Sequence, residues 1–232
     1  MSRTIEDLRA EIESEYSWRL DELRFFENVL ADLKTGTQRD QYRRALVLLL
    51  YAHFEGFCSF ALRLFVRAAN DAQITCSEAT PAIAAAALAD VLAALRDPNK
   101  KCPLFKHVFP DDTKLHKFAR DIEFVERSSE IGARPVRIPD WVVDTESNLQ
   151  PAVLRKNLFR LGLPHDLFAS LEGQIHRLLQ MRNGISHGMQ KSGVDERTYG
   201  ELRGAVRQVF EAVKTEVMAA LTRHAYLSQS TP

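Results

Sequence analysis

Three residues in one short run have the types and spacing to do chemistry: Arg182, Asn183 and His187, within the stretch from Met181 to Gly188. A histidine of near-neutral pKa can take a proton from a ribose 2′-hydroxyl or protonate a 5′-leaving oxygen. A guanidinium can neutralise the charge that builds on a phosphoryl group. An asparagine amide can orient either one. None of these steps calls for a metal, and no carboxylate cluster stands nearby at the spacing a metal-dependent nuclease would use. The spacing alone is weak, because an Arg and a His five residues apart on a helix are commonplace.

A helix must present the three. Residues 167–190 read as one, with Gly188 and Gly193 marking its end. Leu171, Ile175, Leu178, Arg182, Ile185 and Met189 recur along it at steps of three and four, as a core seam with an arginine in it. Glu172, His176, Gln180, Asn183 and His187 form an adjacent, wholly polar line. A guanidinium in a seam keeps its charge and must find acceptors; Glu55 is a candidate. The polar line faces either solvent, the ordinary outcome, or a symmetric copy of the chain. On an ideal helix Arg182 and His187 lie about 140° apart. They converge on one phosphate only through the reach of the arginine, through distortion at Gly184, or with one group supplied by each of two subunits.

Composition bounds the rest. The 232 residues carry 31 basic and 31 acidic groups. Zero net charge argues against a protein that coats polyanions through its overall field, so any nucleic-acid contact must be a local patch. Hydrophobic residues make up 45%, enough to bury a core, and abundant Ala and Leu favour helix. Cys58, Cys76 and Cys102 are an odd, widely spaced set, which argues against a disulfide framework or a zinc site and fits a reducing cytoplasm. The charged start, Met1 to Asp7, lacks the apolar run of a signal peptide. The greasiest span, Leu46 to Ala69, contains His53, Glu55, Arg63 and Arg67. Four ionisable groups are too costly for an ordinary membrane helix, so the span reads as a buried core helix.

In chain order, residues 4–33 read as an amphipathic helix capped by Thr4 with Asp7 and ended by Gly36. Residues 38–70 form a second helix, apolar nearly all round and therefore central. One polar line interrupts it: Tyr51, Glu55, Ser59 and Arg63. Either Glu55 and Arg63 bracket a solvated edge, or Glu55 is a carboxylate placed inside the bundle to hold an arginine from another helix. Pro81 opens an Ala-rich helix over 80–96, which Asp97, Pro98 and Asn99 break.

Residues 97–150 are punctuated by Pro98, Pro103, Pro110, Pro135 and Pro139. Lys114 to Arg127 read as a short helix there, and Val136, Ile138 and Trp141 to Val143 as a strand or an extended arm. The apolar content is too thin for a separate core, so this region is an insertion within a single domain spanning 1–232. Residues 150–162 read as a helix whose basic edge, Arg155, Lys156 and Arg160, is most simply a solvated face. Residues 195–226 read as the last helix, capped by Asp195, with Leu202, Val206, Val209, Val213, Val217 and Leu221 as its stripe. The tail after Leu227 reads as frayed.

The run Arg182 to Gly188 closes a long helix, follows a buried helix carrying Leu49 to Phe57, and precedes a final amphipathic helix. This arrangement resembles the HEPN superfamily, whose signature is R-x(4–6)-H, often with Asn after the Arg. The chain is most similar to the MAE_28990/MAE_18760-like HEPN nucleases, over Leu49 to Phe57, Asn148 to Leu163 and Arg182 to Gly188. The resemblance implies an all-α fold, a HEPN-like four- to five-helix bundle with an irregular insertion at about 97–150. It implies a homodimer with a composite cleft, and metal-independent RNA cleavage that leaves a 2′,3′-cyclic phosphate and uses no cofactor.

Arg182, Asn183 and His187 match the family's catalytic positions, and Glu55 a supporting polar position; Tyr51 and Ser186 are taken with it as supporting residues. Members often act as toxins or in phage defence, so the implied partners are an RNA substrate, a second copy and an antitoxin protein, in the cytoplasm and with no membrane. Some such toxins carry a Tyr two residues after the His, which a partner nucleotidyltransferase modifies; here that position is Met189. Two other classes stand beside this one. The first is a non-catalytic helical module that dimerises, or binds RNA or a nucleotide, through Arg182 and His187. The second is a small-molecule enzyme with His187 as general base, for which no cofactor motif is present.

Overall fold

The computed structural model describes residues 3–97, 99–104 and 113–228. Among them the fold is all-helical. The elements are α1 (Ile5–Asn28), α2 (Gly36–Asp71), α3 (Pro81–Ala87), α4 (Ala89–Arg96), α5 (Thr113–Glu126), α6 (Ser128–Ala133), α7 (Pro151–Arg160), α8 (Glu172–Ser186) and α9 (Glu196–Thr222).

Local chemistry sets the ends. Thr4 accepts from the Asp7 amide while Asp7 accepts from the Thr4 amide, a reciprocal cap that satisfies two otherwise orphaned donors. The first helix yields at Val29 to a 3-10 turn, Val29–Asp32. Gly36 does not end it. Gly36 is the first residue of α2, behind a second reciprocal cap between Thr35 and Gln38. Thr35 with Gln38 three residues on is the sequence signal that outranks the glycine.

Helix α2 is the centre, packed against α1, α8 and α9. Its length and composition would suit a membrane span, but it fully buries Phe54, Phe57, Leu62 and Phe65 inside the bundle. Each such side chain contributes about 1.5–3 kcal/mol of burial. The expected stripe of α9, Leu202 to Leu221, is buried in full. Phe57 meets Phe210 at 4.5 Å and Tyr16 at 5.8 Å between ring centroids, joining α2 to α9 and α1.

The Ala-rich span is not one helix. It breaks at Leu88 (φ −94°, ψ 9°) into α3 and α4. The insertion expected over 97–150 also divides. Its first part carries α5 and α6. Its second part, 135–149, is an arm laid on the bundle, but the run from Trp141 expected as a strand or extended arm enters a 3-10 turn, Asp140–Val142, and a second turn closes at Asn148. Pro135 bridges Thr75, and Val136 N donates to Ile74 O at 2.8 Å. The Asn70 side chain donates to Ile138 O and accepts from Ile138 N, standing in for a neighbouring strand. Val136, Ile138, Val142, Val143 and Leu149 all join the core, so this half belongs to the bundle wall. Pro98 and Pro110 lie outside the described residues. At the C-terminus Leu227 bridges Ala79 and Ser228 N bonds Glu78 O, so the chain is tied beyond the point where fraying was expected; residues 229–232 lie outside the described set.

Candidate functional site

Helix α8 is shorter than its pattern. It ends at Ser186, and His187 is its C-cap, with the His187 amide bonded to Asn183 O. Gly188 takes φ +69°, a left-handed turn that favours glycine. Met189 N and Gln190 N then both donate to Gly184 O at 2.9 Å. The seam therefore stops at Ile185, and Met189 lies off the helix, 75% exposed. His187 still makes the helical bond to Asn183 O and so ends the polar line at the last turn. The chain beyond the cap is fastened to the start of α2. Arg44 donates to Lys191 O at 2.6 Å and Val194 N to Asp40 O at 2.8 Å. Gly193 permits that approach, since a Cβ there would sit 2.5 Å from Asp40 Cβ.

Arg182 is half-buried on α8. Its Nη1 donates to Asn148 Oδ1 at 2.7 Å and to Asn183 Oδ1 at 2.9 Å. Its guanidinium carbon stands 4.9 Å from the centroid of the buried Tyr51 ring, a cation–π contact. No hydrogen bond or ion pair joins Arg182 to Glu55. The expected partnership is replaced by two amide oxygens and an aromatic face, all neutral, which hold the guanidinium without cancelling its charge. Asn183 spends its carbonyl on Arg182, so within one chain it orients the arginine.

Glu55 is half-buried, without a cation partner among the described residues. With Tyr51, Ser59, Arg182 and Ser186 it lines an open groove of about 540 Å3 between α2 and α8. Burial pushes the Tyr51 hydroxyl well above its usual range, and the neighbouring Glu55 carboxylate adds to this. Glu55 and the Leu149 amide are polar neighbours of Tyr51 Oη, but neither is in full hydrogen-bond geometry. Of the α2 polar line, Tyr51, Glu55 and Ser59 line the groove, while Arg63 is exposed and donates to Val143 O.

The structure thus brings Arg182, Asn183, Tyr51, Glu55 and Ser186 to one place. It does not bring His187 there. That side chain is exposed at the helix end, outside the groove lining, and makes no hydrogen bond among the described residues.

Asn148 is the site residue that sequence reasoning missed. It closes a turn onto Thr145 O, after Glu146 and Ser147 in left-handed conformations, φ 49° and 68°. Two non-glycine residues held there store strain that the surroundings must impose; Lys156 bonds Glu146 from α7. No periodicity marks such a residue, and only its place at the start of a resembling stretch pointed to it. The basic edge of α7 is a largely compensated face, with Arg155 paired to Glu172 and Lys156 to Glu146. Arg177 and Arg203 are likewise paired, to Glu201 and Glu27.

Beside the groove Arg19 stacks over Trp18, pairs with Glu15 and lies against Gly56, where a Cβ would meet Arg19 Nη1 at 2.6 Å. Buried His53 sits 3.4 Å from Arg19 and 3.0 Å from Glu22 Oε2, the latter off the line of a hydrogen bond. Burial, then Arg19, hold its pKa below the usual value, against Glu22 and Glu15.

The described fold is thus a helical bundle whose central helix packs against the helix that carries Arg182, Asn183 and the capping His187. The family model described as MAE_28990-like HEPN matches residues 8–226, and the chain belongs to that family. No curated protein and no solved structure matches the chain.

Proposed function

We propose that this protein is an endoribonuclease that works without a metal, as a homodimer with its site shared between two copies, and that it serves as a toxin or phage-defence effector. The observation that carries the reading is Arg182: a guanidinium held by Asn148, Asn183 and the Tyr51 ring, its charge left free, in an open groove. Such a group suits a phosphate. His187, exposed at the helix end, has the freedom to meet the groove of a partner.

In the chemistry proposed, His187 removes the 2′-hydroxyl proton as O2′ bonds to phosphorus. The P–O5′ bond breaks, the leaving oxygen takes a proton from water, and a 2′,3′-cyclic phosphate remains. Arg182 stabilises the charge on the phosphoryl oxygens. Wild type, Arg182→Ala and His187→Ala, each incubated with total RNA in excess EDTA, test this. Cleavage with cyclic-phosphate ends is expected of wild type alone. An identical RNA pattern from wild type and His187→Ala, both folded dimers, would overturn it. The cellular role has its own test: wild-type expression should slow growth and His187→Ala should not.

A second reading, a module that binds RNA or a nucleotide without cutting it, is favoured by one observation, the absence of His187 from the groove lining. It predicts retention of RNA by wild type, loss of retention in Arg182→Ala, and no new RNA ends.

A further inference from the structure

Helices α4, α5 and α6 frame a second cavity, of about 420 Å3, a size typical of small-molecule sites. None of its residues takes part in the RNA reading. Its apolar wall includes Val91, Leu95, Phe124 and Ile131. Arg120 also lines it and is 9% exposed. A cation so buried ordinarily has a carboxylate partner. Arg120 has none among the described residues. Its Nε donates to Leu95 O at 3.0 Å and its Nη1 to Lys100 O at 2.7 Å. These two carbonyls fix the guanidinium, and among the described residues no carboxylate compensates its charge and Nη2 has no hydrogen-bond partner.

The carboxylates on the lining do not serve it. Glu123 is engaged by Lys100 at 2.7 Å and Arg127 at 3.6 Å, and Glu130 is exposed. Lys100, Arg120, Arg127 and Arg134 face Glu123 and Glu130 around the cavity, so cations outnumber anions two to one.

We propose that this cavity binds a small amphipathic carboxylate, with its head on Arg120 and its apolar body against Leu95, Phe124 and Ile131. Nη2 of the fixed guanidinium can donate a charge-assisted hydrogen bond to a carboxylate oxygen. The head supplies a counter-charge that none of the described residues gives, and the body covers apolar wall that otherwise faces water.

Octanoate is the probe, with 1-octanol carrying the same body without the charge and propionate the same charge without the body. Each is titrated into the full chain by calorimetry and followed by thermal unfolding. Octanoate should bind at one site per chain and raise the melting temperature, while 1-octanol and propionate at equal concentration should do neither. Arg120→Gln should weaken octanoate about tenfold or more. Because Arg120 also ties two carbonyls, Ala94→Phe, which puts a ring into the lining, serves as the second variant. It should keep the helical circular dichroism of wild type and lose octanoate binding. Equal responses to octanoate and 1-octanol, unchanged octanoate binding in folded Ala94→Phe, or no binding by wild type would each overturn the proposal.

Discussion

Arg182 sits on an apolar seam, and its neighbours make that position tenable. Asn148 and Asn183 supply acceptors and Tyr51 supplies a face, so the charge is oriented but not neutralised. Asn148→Ala removes the 2.7 Å acceptor. Loss of a hydrogen bond to a charged group costs about 1.5–3 kcal/mol, so the melting temperature should fall by a few degrees, and if the same bond orients Arg182 for the proposed chemistry RNA cleavage should fall about ten- to a hundredfold. Unchanged kinetics would remove Asn148 from the site. Tyr51→Phe should behave differently. It deletes a buried hydroxyl that lacks a full hydrogen bond and keeps the ring, so stability to urea should stay level or rise by up to about 1 kcal/mol, and cleavage should persist.

His53 makes a pH prediction. Its folded pKa lies below the ordinary 6.5, so the unfolded chain binds the proton more readily. The stability this contributes is full above about pH 6.5 and is lost as pH falls toward the folded pKa. Urea unfolding at about pH 7.5 and pH 5 should show a larger loss in wild type than in His53→Gln, and parallel losses would refute it.

At the scale of elements, caps and close approaches decide where the site's helices begin and end. Thr35→Ala removes the reciprocal cap that starts α2 and should cost about 1 kcal/mol in urea unfolding. Gly193→Ala would drive a Cβ to 2.5 Å from Asp40 Cβ and 2.8 Å from its backbone carbon. With backbone on the far side, relief is limited and a loss of about 1–3 kcal/mol is expected; a neutral result would mean that the 190–194 segment moves freely. Periodicity made α2, α8 and α9 legible in the sequence, because one buried face repeats every three to four residues. It failed where local hydrogen bonding overrides it. Leu88 breaks a helix in an unbroken Ala-rich pattern, and the Gly188 turn takes Met189 off its line. The arm from Pro135 to Leu149 was hardest to read, since it alternates inward residues over too short a span and borrows its hydrogen bonds from Ile74 and Asn70. For the same reason Arg182 was identifiable from the sequence, whereas its partner Asn148 was not.

At the scale of the molecule, the bundle presents the two groups of the proposed chemistry in two places. The groove holds Arg182, and the helix end beside it carries an exposed His187 outside that lining. A two-fold copy could set the His187 of one chain at the groove of the other, an isologous arrangement that yields two equivalent sites. The central claim, one site built by two chains, has a direct test. Arg182→Ala and His187→Ala are each expected to be inactive. Differently tagged, they are co-expressed, the heterodimer is isolated through both tags, and its RNA cleavage is measured in EDTA. One site of the heterodimer then has an intact Arg182 from one chain and an intact His187 from the other, and activity near half that of wild type is predicted. A heterodimer as dead as either parent, beside an active wild type, would contradict the shared site.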